Sequence, residues 1–360
     1  MNNYASISFL RAIAILSVAI LHLSTSFLQY SNFYDIDHIN AFDGTRALHL
    51  SGYKGVYIFF AISAFLITSS IYKLKISTMA GVAFFKKRLF RIYPPYLASL
   101  VILLVVHLVL GDYYPLELFK SFSFSLFFSH DIFFRDWSII NPVAWSLEVE
   151  VQFYALVAVF ITCFSLFLNR KYFALFVIST MSLLIFLWLN QAGNRVIFNY
   201  AIYFFAGIFA AISWLNCSKV KFLSNWRGFS EMFFLMSLIL VFVFENPVLI
   251  AISLYTLVLF GLASTGLEAL FSLRVIRYIS KVSYSYYLLH YAMFHFFMLI
   301  FAKWFSFKSF FVSSSLVIGI FIPMSMIAVY PFYFVFERNH DLKLGFIEYI
   351  RCLLKKWAPL

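Results

Sequence analysis

Two polar side chains lie inside the first long apolar run of the sequence, Ser8 to Leu28. Arg11 carries a fixed positive charge and can bind an anion, and His22 can accept or release a proton near neutral pH. On a helix, His22 would lie within roughly 20° of Arg11 and about 16 Å further along the axis. Such residues inside a membrane span usually mark a functional path. The alternative is an arginine that reaches the membrane surface and a histidine with one structural hydrogen bond.

The most basic stretch of the chain runs from Phe84 to Tyr96. Arg88 and Arg91 are three residues apart, which places both on one side of a helix, and two guanidinium groups on one face suit phosphate oxygens. Pro94 and Pro95 are predicted to interrupt the backbone just after them. An ordinary basic anchor at the cytosolic membrane surface is the other interpretation.

Two acidic residues open a later apolar run, in the segment NPVAWSLEVEVQFY. Glu148 and Glu150 would lie about 200° apart on a helix, so at most one can face a central cavity. Glu150 would share a face with Tyr154, and Glu148 with Gln152. An acid here could hold a histidine in one tautomer or accept a proton from a hydroxyl, or it could be an interfacial carboxylate solvated by lipid headgroups.

The segment Lys281 to Phe297 contains several hydroxyl groups and two histidines. His290 is predicted to be buried and hydrogen-bonded to a neighbouring helix. His107 and His295 receive the same structural interpretation. No cysteine or histidine spacing indicates a metal site, so the sequence predicts no metal and no bound cofactor.

The composition is that of an integral membrane protein. Hydrophobic residues make up 63% of the 360 residues and charged residues only 12%, with a mean hydropathy of +0.91; soluble domains carry about a quarter charged residues. Apolar runs of span length recur along the whole chain, which favours an all-α bundle over a barrel. The net charge of +12 follows membrane topology rather than indicating nucleic acid.

Ten transmembrane helices are expected, at residues 8–28, 53–72, 92–110, 143–168, 172–190, 196–215, 229–245, 247–267, 284–302 and 309–336. Most of the 27 Lys and Arg residues fall in turns on one side, which places both termini in the cytosol. Small residues in GVYIFFAISAFLIT suit close helix packing. Two long outer loops, 29–52 and 111–142, remain, and the second contains a short apolar piece, FSFSLFF, expected to be re-entrant or interfacial.

Five segments together carry a resemblance to a known family. In order, they are Arg-x₁₀-His in the first span, GVxxFFxxS in the second, KRxxRIxPxY before the third, WSLxVExxFY opening the fourth, and SYSxYLLH much later. This ordered set resembles the membrane-bound acyltransferase family 3, bacterial integral membrane enzymes that O-acylate cell-surface sugars. The resemblance covers nearly the whole chain, and it favours the functional interpretation of Arg11 and His22.

The resemblance implies an O-acyltransferase of the bacterial cytoplasmic (inner) membrane. The donor would be cytosolic acetyl-CoA or another acyl-CoA, and the acceptor a saccharide such as O-antigen, capsule or exopolysaccharide, or a lipid-linked precursor. His22 would be the central catalytic residue with Glu150 in the site, and Arg11, Arg88 and Arg91 would serve the donor. His22 would act as a general base or take the acyl group itself. The side chains expected to support this site are Tyr154, Ser285 and His290.

Three positions depart from the family pattern. Ala64 replaces a usual glycine, Tyr57 stands where an acid is common, and Tyr291 replaces a frequent proline after the histidine. None removes a proposed catalytic group. A single acyltransferase domain over residues 1–360 is expected, with no appended soluble domain. The alternatives are a polysaccharide or lipid-linked sugar transporter with a path lined by arginine, histidine and glutamate, and a structural membrane subunit.

Overall fold

The protein is described by a computed structural model that covers residues 5–31, 51–72, 79–166, 197–216, 226–305 and 310–338. These segments contain α-helices and short 3-10 or π turns and no β-strand, which confirms the all-α class. In chain order the helices are α1 (Ala5–Tyr30), α2 (Lys54–Ile71), α3 (Ala80–Leu110), α4 (Pro115–Ser125), α5 (His130–Phe134), α6 (Trp145–Leu166), α7 (Ile197–Asn216), α8 (Arg227–Val243), α9 (Pro247–Ala263), α10 (Glu268–Phe271), α11 (Arg274–Phe301), α12 (Phe310–Ala328) and α13 (Tyr330–Phe332).

Six of these helical segments are long and apolar enough to cross a membrane, and a seventh is added if α9 and the bent segment after it form one span. The two parts of that bent pair meet at 72°. The expected number of ten spans is therefore not confirmed by the described residues. The expected span 172–190 lies outside them, and α8 is shorter than the roughly 20 residues that a bilayer core requires.

The chain forms two compact units, one of Met1–Lys75 with Arg170–Ile327 and the other of Ile76–Asn169 with Ala328–Leu360. In the first unit, α1 packs against α11 and α2, α2 against α7, and α9 against α7 and α8. A Cβ on Gly207 would collide with the main chain of Ala61. The predicted packing role of the small residues in α2 is thus met by a close contact with α7.

Lys54, at the start of α2, is completely buried. Its ammonium group donates hydrogen bonds to the main-chain oxygens of Phe242 at 2.8 Å and Phe244 at 2.7 Å, at the C-terminal end of α8. A third bond of 2.7 Å joins it to Oε1 of Glu245, whose Oε2 accepts from the Tyr53 hydroxyl at 2.9 Å. A lysine that would pass for an ordinary membrane anchor in the sequence therefore ties two helices together.

In the second unit, α3 runs from Ala80 to Leu110 without a break and contains both Pro94 and Pro95. The expectation that these prolines interrupt the backbone is wrong. Both rings are buried, and proline is tolerated inside membrane helices where packing compensates for the lost hydrogen bonds. A Cβ on Gly81 would meet the main-chain oxygen of Ala158, so the beginning of α3 lies directly against α6.

The segment between α3 and α6 folds into two helices, α4 and α5, joined by a turn. The buried Tyr96 on α3 donates to the main-chain oxygen of Ser125 at 2.9 Å, and its ring stacks on Phe128 at 4.5 Å. The apolar piece FSFSLFF thus forms the end of α4 and the turn after it, attached to α3. Residues 32–50 of the first outer loop lie outside the described part of the chain.

Candidate active site

His22 lies on α1 and is partly buried against α11. Its imidazole ring is 5.2 Å from the ring of His290, centroid to centroid, and 5.2 Å from the ring of Tyr291, which meets it edge-on at 89°. The Thr25 hydroxyl donates to the main-chain oxygen of His22 at 3.0 Å. The residue that the sequence singled out as a reactive base therefore contacts two further proton-carrying side chains.

His290 is completely buried on α11. Its Nδ1 lies 2.8 Å from the main-chain oxygen of Tyr287 and 3.2 Å from that of Tyr286. Only an N–H can pair with a carbonyl oxygen, so Nδ1 carries the proton and Nε2 is an acceptor. That Nε2 is buried and has no hydrogen-bond partner. The hydrogen bonds that His290 makes in this structure run from Nδ1 to its own helix one turn earlier, and not to a neighbouring helix as the sequence predicted.

Arg11 is partly buried on α1, the helix that carries His22. Ser285 is completely buried on α11, in the same unit.

Towards the end of α1, the Tyr30 hydroxyl is hydrogen-bonded to Nε2 of His295, and the ring of Tyr291 stacks on that of His295 at 6.0 Å, centroid to centroid. The interface between α1 and α11 therefore carries a row of imidazole and phenol groups.

A second group of expected site residues lies in the other unit, where α3 faces α6. The Tyr154 hydroxyl donates to Oε1 of Glu150 at 2.5 Å, as their spacing predicted. Arg88 lies over the Phe84 ring at 5.8 Å and interacts electrostatically with Tyr154, Glu150 and Arg91. Arg91 itself is exposed. Glu150 therefore faces α3, the helix that carries Arg88 and Arg91.

Glu148, in the same helix, has a structural role that differs from the surroundings of Glu150. It is buried, and its carboxylate accepts hydrogen bonds from the main-chain N–H groups of His130 at 3.2 Å and Asp131 at 3.0 Å. Burial lowers the pKa of His130, and the hydrogen bond of its ring to the main-chain oxygen of Asp136 partly offsets this. Glu148 therefore fixes the start of α5, a role that no spacing in the sequence indicated because it depends on a contact between distant segments.

The expected site residues thus form two groups. Arg11, His22, Ser285 and His290 belong to the first unit, and Arg88, Arg91, Glu150 and Tyr154 to the second. Within the described part of the chain, no group of three or more His, Cys, Asp and Glu side chains could hold a metal ion. Tyr291, which the sequence marked only as a departure from a pattern, is the additional group in contact with His22.

Comparison with known proteins adds one finding to this geometry. The family model described as an acyltransferase domain, acyltransferase 3, matches residues 4–334. The chain belongs to this family. No curated protein and no solved structure matches it. The family and the apolar helices together make the protein a multi-pass membrane acyltransferase, and the match spans both groups of site residues.

Proposed function

We propose that this acyltransferase moves an acyl group, most simply acetyl, from cytosolic acyl-CoA to a hydroxyl group of a cell-surface or lipid-linked saccharide. The observation that carries the proposal is the environment of His22. It is a partly buried imidazole against His290 and Tyr291, on the helix that also carries Arg11, in a chain of an acyltransferase family. A neutral imidazole in such a place suits general-base or nucleophilic catalysis.

The reaction requires one proton transfer and one exchange at the thioester carbonyl. A ring nitrogen of His22 takes the proton of the acceptor hydroxyl while the hydroxyl oxygen attacks the thioester carbon. The carbon–sulfur bond breaks, and the departing thiolate receives the proton from the imidazolium. In the alternative sequence of steps, His22 first takes the acyl group as acyl-histidine and then passes it to the hydroxyl. Both sequences give the same ester and free CoA.

The arginines would hold the donor. Arg88 and Arg91 suit the phosphates of a CoA-like molecule because guanidinium groups bind phosphate oxygens in pairs. Glu150 and Tyr154 are close enough to Arg88 to interact with it electrostatically, which supports a role for that acid in orienting the arginine. Arg11 would serve the donor from α1. In this proposal both termini are cytosolic, the membrane is the bacterial cytoplasmic membrane, and acceptors are saccharides such as O-antigen, capsule or exopolysaccharide.

The test uses inverted membrane vesicles that contain the full chain, acetyl-CoA labelled in the acetyl group, and an acceptor polysaccharide or its lipid-linked precursor. Wild-type protein should transfer label to the saccharide, and His22→Ala should reduce the rate by about 10²- to 10⁴-fold, as expected for loss of a general base. His107→Ala is the matched control. That histidine pairs with Asp112 at 2.8 Å near the end of α3 and has no proposed role.

Transfer by His22→Ala at the wild-type rate, in protein shown to be folded and inserted, would overturn the proposed role of this histidine. A wild-type protein that binds no CoA but moves a lipid-linked sugar across the vesicle membrane would replace the proposal with transport. Binding of CoA that disappears in the double variant Arg88→Gln, Arg91→Gln would support the donor assignment.

A further inference from the structure

We propose that Nε2 of His290 accepts the N–H of His22, so that the two imidazoles work as a pair in which His290 positions the reactive ring. The inference rests on the proposed function, because it assigns His22 as the reacting group. It starts from the only completely buried histidine among the described residues, whose Nε2 has no partner.

The ring proton of His290 is on Nδ1. Its Nδ1 donates to main-chain oxygens one turn earlier on α11, at 2.8 Å for Tyr287. This bond fixes the ring orientation and leaves Nε2 as a lone-pair acceptor. A buried acceptor without a partner is rare in a folded protein and calls for an explanation, which a hydrogen bond from His22 supplies.

The proposed donor is the ring N–H of His22. The ring of His22 is 5.2 Å from that of His290, centroid to centroid, and the two planes are inclined at 53°. We infer that at this separation a rotation of the partly buried His22 side chain can bring a ring nitrogen within ordinary hydrogen-bond length of Nε2, about 3 Å. Tyr291 contacts the same ring edge-on from the same helix. His22 therefore has an acceptor for its N–H on one side and the ring of Tyr291 on another.

Donation of its N–H to His290 would change the chemistry of His22. A neutral imidazole carries one N–H, and donating it to His290 leaves the other nitrogen free to take a proton or an acyl group. When that nitrogen becomes protonated, the N–H directed at His290 stays in place and the positive charge gains a hydrogen bond. His290 thus does for His22 what an orienting carboxylate does in a catalytic triad, without adding a charge to the membrane interior.

The experiment compares the same substitution, histidine to phenylalanine, at two positions of α11, and adds a variant of His290 that restores an acceptor. His290→Phe removes the acceptor and keeps the ring volume, and His290→Gln returns an acceptor oxygen. His295→Phe is the matched control, since His295 also faces α1 and is hydrogen-bonded there to Tyr30. Each full-length variant is purified in detergent, its thermal unfolding is recorded, and acyl transfer is measured with acetyl-CoA and the saccharide acceptor.

We expect His290→Phe to lower kcat about tenfold to a hundredfold, with the KM of both substrates within about twofold of wild type. His290→Gln should recover a substantial part of kcat, and His295→Phe should resemble wild type. Equal kcat in His290→Phe and wild type would overturn the pairing. A raised KM for the saccharide with unchanged kcat would overturn it too, because His290 would then accept a hydrogen bond from substrate.

A second readout does not depend on the reaction. Diethyl pyrocarbonate acylates neutral imidazole nitrogens, and mass spectrometry of the peptide containing His22 gives its rate of modification. Losing one hydrogen bond to His290 should slow this rate about fivefold in His290→Phe and leave it unchanged in His295→Phe. If His290→Phe does not fold, His290→Leu takes its place in the same measurement.

The two readouts separate the failure of this inference from the failure of the proposed function. If wild type transfers no acyl group and the reactivity of His22 still depends on His290, the pairing stands and the proposed function falls. If transfer is normal and neither kcat nor the reactivity of His22 changes in His290→Phe, the function stands and the pairing falls.

Discussion

Lys54 and His290 are both completely buried polar side chains of the same compact unit, and they use their hydrogen-bonding groups in opposite ways. Lys54 makes three bonds of 2.7–2.8 Å that tie α2 to the end of α8. His290 uses one nitrogen and leaves the other without a partner beside His22. A fully paired buried group stabilises the fold, whereas an unpaired one costs stability and is better explained by function.

The same contrast divides the two glutamates of α6. Glu148 accepts two main-chain N–H groups and holds the start of α5. Glu150 binds a phenol and faces an arginine of the basic segment. Two acids separated by one residue thus have different surroundings, because a helix turns about 100° per residue and points them in nearly opposite directions.

The largest expected effect separates activity from stability at His22. His22→Ala should remove nearly all acyl transfer, by about 10²- to 10⁴-fold, and should change the thermal unfolding temperature by no more than a few degrees. The reason is that the ring neighbours of His22 among the described residues are His290 and Tyr291, while many other buried side chains of α1 hold this helix in the core. Fluorescence-detected unfolding in detergent, beside the vesicle assay, gives both numbers. A strong loss of stability in His22→Ala would show that His22, like Lys54, mainly stabilises the fold.

The opposite pattern is expected at Lys54. Lys54→Met keeps a chain of similar length and deletes three hydrogen bonds, which should lower the unfolding free energy by about 2–3 kcal/mol. The transfer rate per folded molecule should stay at the wild-type level. Detergent unfolding curves measure the first quantity, and active-protein titration the second. A loss of kcat without a loss of stability would contradict the structural assignment of this lysine.

A smaller effect is expected in the second unit. Tyr154→Phe removes the 2.5 Å hydrogen bond to Glu150, which should raise the KM for acyl-CoA about fivefold, the equivalent of one ordinary hydrogen bond of about 1 kcal/mol. Initial rates at several donor concentrations give this value. The matched control is Glu148→Gln, which should lower stability and leave the donor KM alone. A donor effect in Glu148→Gln alone would reverse the roles of the two acids.

The smallest effect is a pH dependence at Glu245, which lies between α8 and α9 outside the candidate spans. The hydrogen bond from Lys54 lowers the pKa of Glu245 in the folded protein. Its contribution to stability is therefore complete above the unfolded pKa of about 4.3 and is lost as pH falls below it. Unfolding temperatures recorded from about pH 7 down to about pH 3.5 should fall more for wild type than for Glu245→Gln. Identical curves would show that the ion pair adds nothing measurable.

The sequence predicted those features that follow from helical periodicity. The shared helix of Arg11 and His22, the pairing of Glu150 with Tyr154 and the tight packing of α2 all depend on residue spacing alone. The bonds of Lys54, Glu148 and His290 could not be predicted, because most of their partners are main-chain groups that only the tertiary fold or a local rotamer brings within reach. The predicted number of ten spans is not confirmed, because the described residues contain six or seven candidate spans and do not include residues 172–190.

The paired prolines of α3 have a mechanical consequence. The main-chain oxygen of Arg91 would pair in a regular helix with the N–H of Pro95, or in a tighter turn with that of Pro94, and neither residue has one. The helix can therefore bend most easily at the turn that carries the basic side chains. Gly81 lies directly against the main chain of Ala158, so this turn lies between a helix start that packs on α6 and the mostly buried residues 92–100. If CoA binds at Arg88 and Arg91 as proposed, its release would move this turn more easily than the helix beyond the prolines.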